Sequence, residues 1–462
     1  VVAYGRAVTT ATRSDRLRNA IAYAATDDGA TWAFRVVLLL SVVALVLVGR
    51  HQWFVRDDWA LIVTRGAVRD SLGWKDWLFA PQDGHWMTVP VLTYRALQNT
   101  VGLGSYVPFL ALVMILHVAI VLVVRVLCRR CGASPWTTTL VCALLLLFGT
   151  GWENIVFAVQ ITFNLSLLAF VVQLALIDHE GPVDRRDVLG SAIAMVGVMS
   201  SAFGPIFIAG IVVLLALRKR WLALVVAVVP QGVAYVWWYL FWQSGSTTHV
   251  PSGSTSLVPA FVAQGLGSSL HSLVVLPGLA GIGLLATIGI ALWKGSGWRT
   301  QSLLLTVWAT ALVMLFGIGV ERVGFGVAYA TTSRYQYMTV MLLAPAFALA
   351  VDQLKKVTVV ALWVGRLVVA FAAVVNLGWL MNEGDKFATA SQHQRDTFEL
   401  IMGSGLADQA DQNHVPEPFS SDISVHWLPW LVHEQAITPR TPANQAEVDR
   451  VRAALGLPPA TP

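Results

Sequence analysis

Apolar runs long enough to cross a bilayer recur along nearly the whole of this sequence. The hydrocarbon core of a membrane is about 30 Å thick and an α-helix rises about 1.5 Å per residue, so about 20 mostly apolar residues are needed to span it. Runs of that kind lie near 32–49, 106–127, 135–150, 154–177, 221–242, 273–293, 300–319, 335–351 and 357–380. A further apolar stretch, 188–217, is broken by Ser200-Ser201-Ala202-Phe203-Gly204-Pro205, where proline and glycine predict two short helices meeting in a turn. Hydrophobic residues make up 56% of the 462, and charged residues only 12%, against roughly 25% in a soluble protein. That balance excludes a soluble enzyme, a coiled coil or a disordered scaffold for most of the chain. The expected class is an all-α polytopic membrane protein.

Charge asymmetry sets the expected topology. Short cytoplasmic loops carry an excess of Lys and Arg. Arg6, Arg13, Arg16 and Arg18 precede the first run, which places segment 1–31 inside. Alternate loops carry Arg125, Arg129 and Arg130; Arg185 and Arg186; Arg218, Lys219 and Arg220; Lys294 and Arg299; and Lys355 and Lys356. All of them fall inside only if 188–217 crosses twice. The expectation is therefore about eleven transmembrane helices within 32–380, a cytoplasmic N-terminus and an extracytoplasmic C-terminus. The first run is too long for a signal-peptide core and is followed by no small-residue cleavage site, so it reads as a retained span. A long first outer loop, about 50–105, should carry helices lying along the membrane surface, with shorter outer segments near 149–156, 243–272 and 320–334. Residues 381–462 read as an exported polar tail, a small and partly ordered appendage containing Trp427, Pro429 and Trp430.

The net charge of +5 is no nucleic-acid signature, because the basic residues sit in short loops between apolar runs. Cys128, Cys131 and Cys142 give no disulfide framework. No acid falls in the middle of an expected span, whereas an ion-coupled carrier normally needs one there. Chemistry, if present, belongs at the outer boundary.

Three outer segments concentrate polar and aromatic residues. The first opens the long loop with Arg50-His51-Gln52-Trp53-Phe54-Val55-Arg56-Asp57-Asp58-Trp59, and continues through Pro81-Gln82-Asp83-Gly84-His85-Trp86 to an amphipathic stretch carrying Arg95. The second is Gly149-Thr150-Gly151-Trp152-Glu153-Asn154, with Gln160 and Asn164 following. The third is Glu321-Arg322 followed by Thr331-Thr332-Ser333-Arg334-Tyr335-Gln336-Tyr337. Each has a plain structural reading too: interfacial charge and tryptophan, polar bonds between helices, and a snorkelling arginine anchor. The functional reading of Arg334 is a phosphate clamp, since guanidinium binds phosphate bidentately and stays charged. His117 lies within a span and reads as a packing residue, and the tail histidines lack metal spacing.

The Arg56-Asp57-Asp58-Trp59 segment after the first span, the Gly84-His85-Trp86 turn, Gly151-Trp152-Glu153-Asn154 and Ser333-Arg334-Tyr335 together resemble the GT-C superfamily of integral-membrane glycosyltransferases. The resemblance implies transfer of a sugar from a polyprenyl-phosphate donor to a glycan or lipid-linked acceptor on the non-cytoplasmic face of the membrane; the excess of arginine over lysine and the abundance of alanine and valine suit a GC-rich bacterium, so the expected location is a bacterial plasma membrane. It implies a first-loop aspartate acting as general base, with Asp58 slightly preferred to Asp57. Arg334 and Arg322, backed by Arg56 and Arg95, are the expected donor-phosphate ligands, and Glu153, His85, Gln160 and Tyr335 the expected substrate contacts. Some members use a divalent cation, Mg²⁺ or Mn²⁺, which Asp57 and Asp58 would hold. Two other readings share these residues: a transporter or flippase of lipid-linked sugars, and a polysaccharide polymerase or ligase with a lipid-diphosphate donor.

Overall fold

The computed structural model describes residues 26–243, 254–275, 289 and 297–459. The four N-terminal arginines and most of the run 273–293 lie outside the described residues. Within them the chain is all α, with one isolated bridge between Gln82 and His85 and no strand. Its principal helices are α1 (Asp27–Gly49), α2 (Arg65–Leu72), α3 (Trp74–Phe79), α4 (Thr88–Val101), α5 (Val107–Arg130), α6 (Pro135–Leu146), α7 (Ile161–Ile177), α8 (Arg185–Val198), α9 (Phe203–Leu217), α10 (Trp221–Trp238), α11 (Val258–Val274), α12 (Trp298–Arg322), α13 (Ser333–Gln353), α14 (Val359–Ser404), α15 (Leu428–His433) and α16 (Gln445–Ala454).

Among the described residues, eight helical segments are long and apolar enough to cross a membrane. Seven coincide with expected spans. The eighth, Thr255–Val274, falls where an outer segment was expected, and α11 packs its Gly265 against Leu315 of α12 and Ala330. Helix α6, expected as a full span over 135–150, has only 12 residues. Helices α8 and α9, with 14 and 15 residues, form the hairpin expected in 188–217. At about 1.5 Å per residue each is about 22 Å long, less than the thickness of a hydrocarbon core.

The two ends of the bundle are chemically distinct. At the basic end, Asp178 gathers Arg218 (2.7 Å), Arg299 (3.3 Å) and Arg130 (3.4 Å), while Asp187 receives Arg220 (3.1 Å) and His179 (3.0 Å). Buried carboxylates are tolerated there because each is paired and hydrogen-bonded. Asp184 caps α8 through its bond from Arg186 N–H, and Asp187 returns a bond to Asp184 N–H. This network ties the loops before α8 and after α9 together, so the α8–α9 turn must reach the opposite end. There Met199 O accepts from Val89 N–H and Ala202 N–H donates to His85.

Helix α13 runs through the middle of the bundle, buried along nearly its whole length. Gly149 and Gly151 let the following segment press against it and against α14. A Cβ at Gly149 would come within 2.1 Å of Asn376 O, and one at Gly151 within 2.8 Å of Tyr337. His117, read from sequence as a packing residue, is buried with Nδ1 2.9 Å from Tyr337 OH and Nε2 3.2 Å from Leu146 O.

The tail, expected as a small and partly ordered appendage, begins inside a helix that is continuous with the bundle. Helix α14 runs unbroken for 46 residues through the expected boundary at 380/381. At about 69 Å it far outreaches a bilayer core. The following segment folds back on α14 through Asp396, which pairs with Arg440 (2.6 Å) and Arg450. It also meets the long first loop: Ser420 Oγ accepts from Arg56 N–H at 2.8 Å, and Asp422 accepts from Thr64 at 2.8 Å.

Candidate active site

The long loop between α1 and α5 is built around buried aromatic rings. Phe54 packs edge-on against Tyr106 and Phe109 at 4.8 and 5.0 Å, and Trp53 against Trp59 at 5.4 Å. From that base the chain makes a tight turn over Val55–Asp58, closed by Asp58 N–H to Val55 O at 3.1 Å. Arg56 takes φ 46° and ψ −127° in it, a conformation normally left to glycine. A π-helical turn, Ala60–Thr64, follows and leads into α2.

The two aspartates end up in opposite surroundings. Asp58 is completely buried. Its carboxylate accepts from Tyr94 OH at 2.6 Å, Tyr106 OH at 3.0 Å and Val55 N–H at 3.2 Å. Burial pushes its pKa up to about 7 against the pull of these three donors, and the charge of Asp57 adds to the rise. Asp57 is exposed, and it lines a cavity of about 680 Å³. Among the described residues its carboxylate accepts no hydrogen bond and makes no ion pair. Its pKa is also raised: enclosure by the cavity walls dominates, the positive charge of Arg334 opposes it, and Asp83 and Asp422 reinforce it. The sequence reading preferred Asp58 as the base. Asp58 holds the loop together through Tyr94, Tyr106 and Val55, and of the two aspartates only Asp57 lines the cavity.

Three other parts of the chain complete the cavity wall. The Gln82–His85 hairpin turns through Asp83 (φ 49°) and Gly84 (φ 78°), the pair of positive dihedrals that a two-residue turn demands, and brings Asp83 and His85 to the wall. His85 Nδ1 accepts from Ala202 N–H at 3.1 Å, so the proton of the neutral ring sits on Nε2. Burial, then the charges of Arg322 and Arg334, lower its pKa to about 4, which keeps the ring neutral at neutral pH. Gln160 reaches the wall from the turn before α7, its Oε1 buried without a hydrogen-bond partner among the described residues. The position of that turn is set by Ala158 N–H donating to Tyr106 OH at 2.8 Å, the same hydroxyl that holds Asp58.

Arg322, Arg334 and Tyr335 form the third side. Arg334 begins α13. Its backbone N–H donates to Glu153 Oε2 at 3.3 Å, and its guanidinium donates to Tyr329 OH at 3.0 Å and lies 5.5 Å from the Tyr335 ring centre. Its Nε is buried without a partner. Arg322, in the last turn of α12, has no ion pair among the described residues. Phe163, Phe203, Ile206 and Ile318 supply an apolar wall between α7, α9 and α12.

Of the residues singled out from sequence, the cavity unites Asp57, His85, Gln160, Arg322, Arg334 and Tyr335. Four do not line it. Asp58 lies behind the turn. Glu153 is buried and caps α13. Arg56 stacks its guanidinium 4.2 Å from the Phe419 ring centre. Arg95 bonds Gln98 at 3.1 Å and lines a separate hollow with Trp427 and Trp430. Asp83 and Glu321, which stand in the outer segments read from sequence but were given no role there, also line the cavity.

A divalent cation shared by Asp57 and Asp58 does not fit these residues. Both Asp58 oxygens are committed to Tyr94, Tyr106 and Val55 behind the turn, so the two aspartates do not face one site. His179, Asp184 and Asp187 bring ligand atoms within 4.8 Å of one another at the basic end, but Arg220 and Arg186 already occupy them.

No family model matches this sequence, and no curated protein or solved structure is similar to it.

Proposed function

We propose that this chain is a GT-C-like membrane glycosyltransferase of eleven spans that moves a sugar from a polyprenyl-phosphate donor to a cell-envelope acceptor. In this reading the cavity end faces away from the cytoplasm of a bacterial cell, the basic end faces inward, and Asp57 is the general base. One observation carries the reading: a carboxylate and two arginines that have no ion-pair partner among the described residues line the same cavity, beside an apolar wall of Phe163, Phe203, Ile206 and Ile318.

The chemistry follows from the roles these groups can fill. The acceptor hydroxyl oxygen attacks the anomeric carbon and passes its proton to Asp57, whose raised pKa suits it to accept that proton. The bond from the anomeric carbon to the phosphate oxygen breaks, and polyprenyl phosphate leaves with the electron pair. Arg334, through its free Nε, and Arg322 meet the charge that develops there. Neutral His85, with a free Nε2–H, and Gln160, with a free carbonyl oxygen, complement sugar hydroxyls. The wall of Phe163, Phe203, Ile206 and Ile318 receives the first isoprene units.

The test is transfer from a radiolabelled polyprenyl-phosphate sugar by the purified protein in lipid vesicles. The proposal expects labelled product from the wild type and none above background from Asp57→Ala. Movement of intact labelled donor across the vesicle, with no product and no dependence on Asp57, would instead favour a flippase.

A further inference from the structure

We infer that Ser420, far along the chain from the first loop, is a positioning residue for Asp57: it holds Arg56 at positive φ, and thereby aims the following carboxylate into the cavity. This rests on the reading of Asp57 as the base.

The geometry is a short relay. Ser420 is completely buried. Its Oγ accepts from Arg56 N–H at 2.8 Å and donates to Gln394 Oε1 at 2.9 Å, and Gln394 sits on the part of α14 beyond the bundle. The hydroxyl is thus fixed at both ends. Arg56 is the one residue of the Val55–Asp58 turn with φ in the left-handed half of conformational space. An L-residue with a long side chain leaves that region unless its surroundings hold it there. Two contacts from the same segment do so: the Ser420 hydroxyl on the backbone N–H, and the Phe419 ring under the guanidinium. Thr64, at the far end of the following π turn, is tied to the same segment through Asp422 at 2.8 Å. The C-terminal segment therefore grips the aspartate turn on both sides. If Arg56 relaxes to negative φ, the peptide joining it to Asp57 rotates and the Asp57 side chain swings with it. Asp58 stays pinned by Tyr94 and Tyr106.

The experiment is a rescue in the full-length protein. Ser420→Ala removes the bond that holds Arg56 and should lower kcat about tenfold, the order expected for a lost buried hydrogen bond. The donor KM should stay unchanged, because Arg322 and Arg334 are untouched. Arg56→Gly tolerates positive φ without restraint. The double variant Ser420→Ala/Arg56→Gly should regain most of the wild-type kcat, and Ser420→Thr, which keeps the hydroxyl, should retain it. Carbodiimide labelling of Asp57, read by mass spectrometry, should follow the same order and needs no turnover. If wild-type protein transfers no sugar, the glycosyltransferase reading fails while the labelling series still decides the role of Ser420. If Ser420→Ala matches the wild type in both readouts, or falls and is not restored by Arg56→Gly, the inference is overturned. Should Ser420→Ala fail to fold, Gln394→Leu frees the hydroxyl from its acceptor and takes its place with the same expectations.

Discussion

Asp57 and Asp58 are adjacent in the chain and lie on opposite sides of a cavity wall. The Asp57 carboxylate faces the hollow with no ion-pair partner among the described residues, and the Asp58 carboxylate lies fully buried behind it, 2.6 Å from Tyr94 OH. Substituting the two should therefore fail in different ways. Asp57→Ala is expected to cost about 10²–10⁴ in kcat, the usual contribution of a positioned base, with the thermal midpoint in detergent unchanged. Asp58→Ala leaves Val55 N–H and two tyrosine hydroxyls buried without their acceptor, at about 1–3 kcal/mol each, and should lower that midpoint sharply. Paired melting curves and initial rates separate the two outcomes.

The pH dependence of stability has a definite sign. Asp58 binds its proton more tightly in the folded protein, with a pKa of about 7 against an ordinary 3.8. Between those values the folded state holds more protons than the unfolded one, so stability falls as pH rises through the window. Below it the group contributes no such slope. Asp58→Asn should flatten the fall, seen by unfolding at a series of pH values between about 4 and 7.

Asp83 acts on Asp57 through its charge. Its negative charge is one of the influences that raise the Asp57 pKa. Asp83→Asn removes the charge and keeps a residue comfortable at the positive φ of that turn. The acid limb of the kcat/KM profile should move to lower pH, since Asp57 then loses its proton more readily.

The two pairs of arginines make a control for each other. Arg334→Ala should raise the donor KM about tenfold or more, as expected for loss of charge-assisted hydrogen bonds to phosphate. Arg95→Ala, in the separate hollow beside Trp427, should leave it within about twofold.

Packing around the site offers a test of the fold itself. Gly149→Ala places a methyl group against the backbone of Asn376 and Leu380, which cannot yield as a flexible side chain does. A loss of about 1–3 kcal/mol is expected, read as a lowered thermal midpoint.

Most spans were legible because hydropathy is a local property, carried by each run on its own. The basic loops were legible for the same reason, and the structure gathers Arg130, Arg218 and Arg299 on Asp178. Helix α11 was missed because Gln264, Gly265, Gly267 and several serines dilute its apolar face. The different surroundings of Asp57 and Asp58 were not legible at all. It depends on Tyr94 and Tyr106, 36 and 48 residues further along, arriving from α4 and the start of α5. The docking of the tail was hidden for a similar reason, since Ser420 and Asp422 look like any exposed polar residues until Arg56 and Thr64 come to meet them.

The central claim is that one cavity holds both the base and the grip on the lipid phosphate. The most direct measurement is a structure with a non-hydrolysable polyprenyl-phosphate sugar analogue bound. Phosphate oxygens are expected within hydrogen-bond distance of Arg334 and Arg322, the prenyl chain against Phe203 and Ile318, and the Asp57 carboxylate across the sugar from the phosphate. A phosphate seated on Arg56 or Arg95, or at the basic end near Arg218, would contradict it.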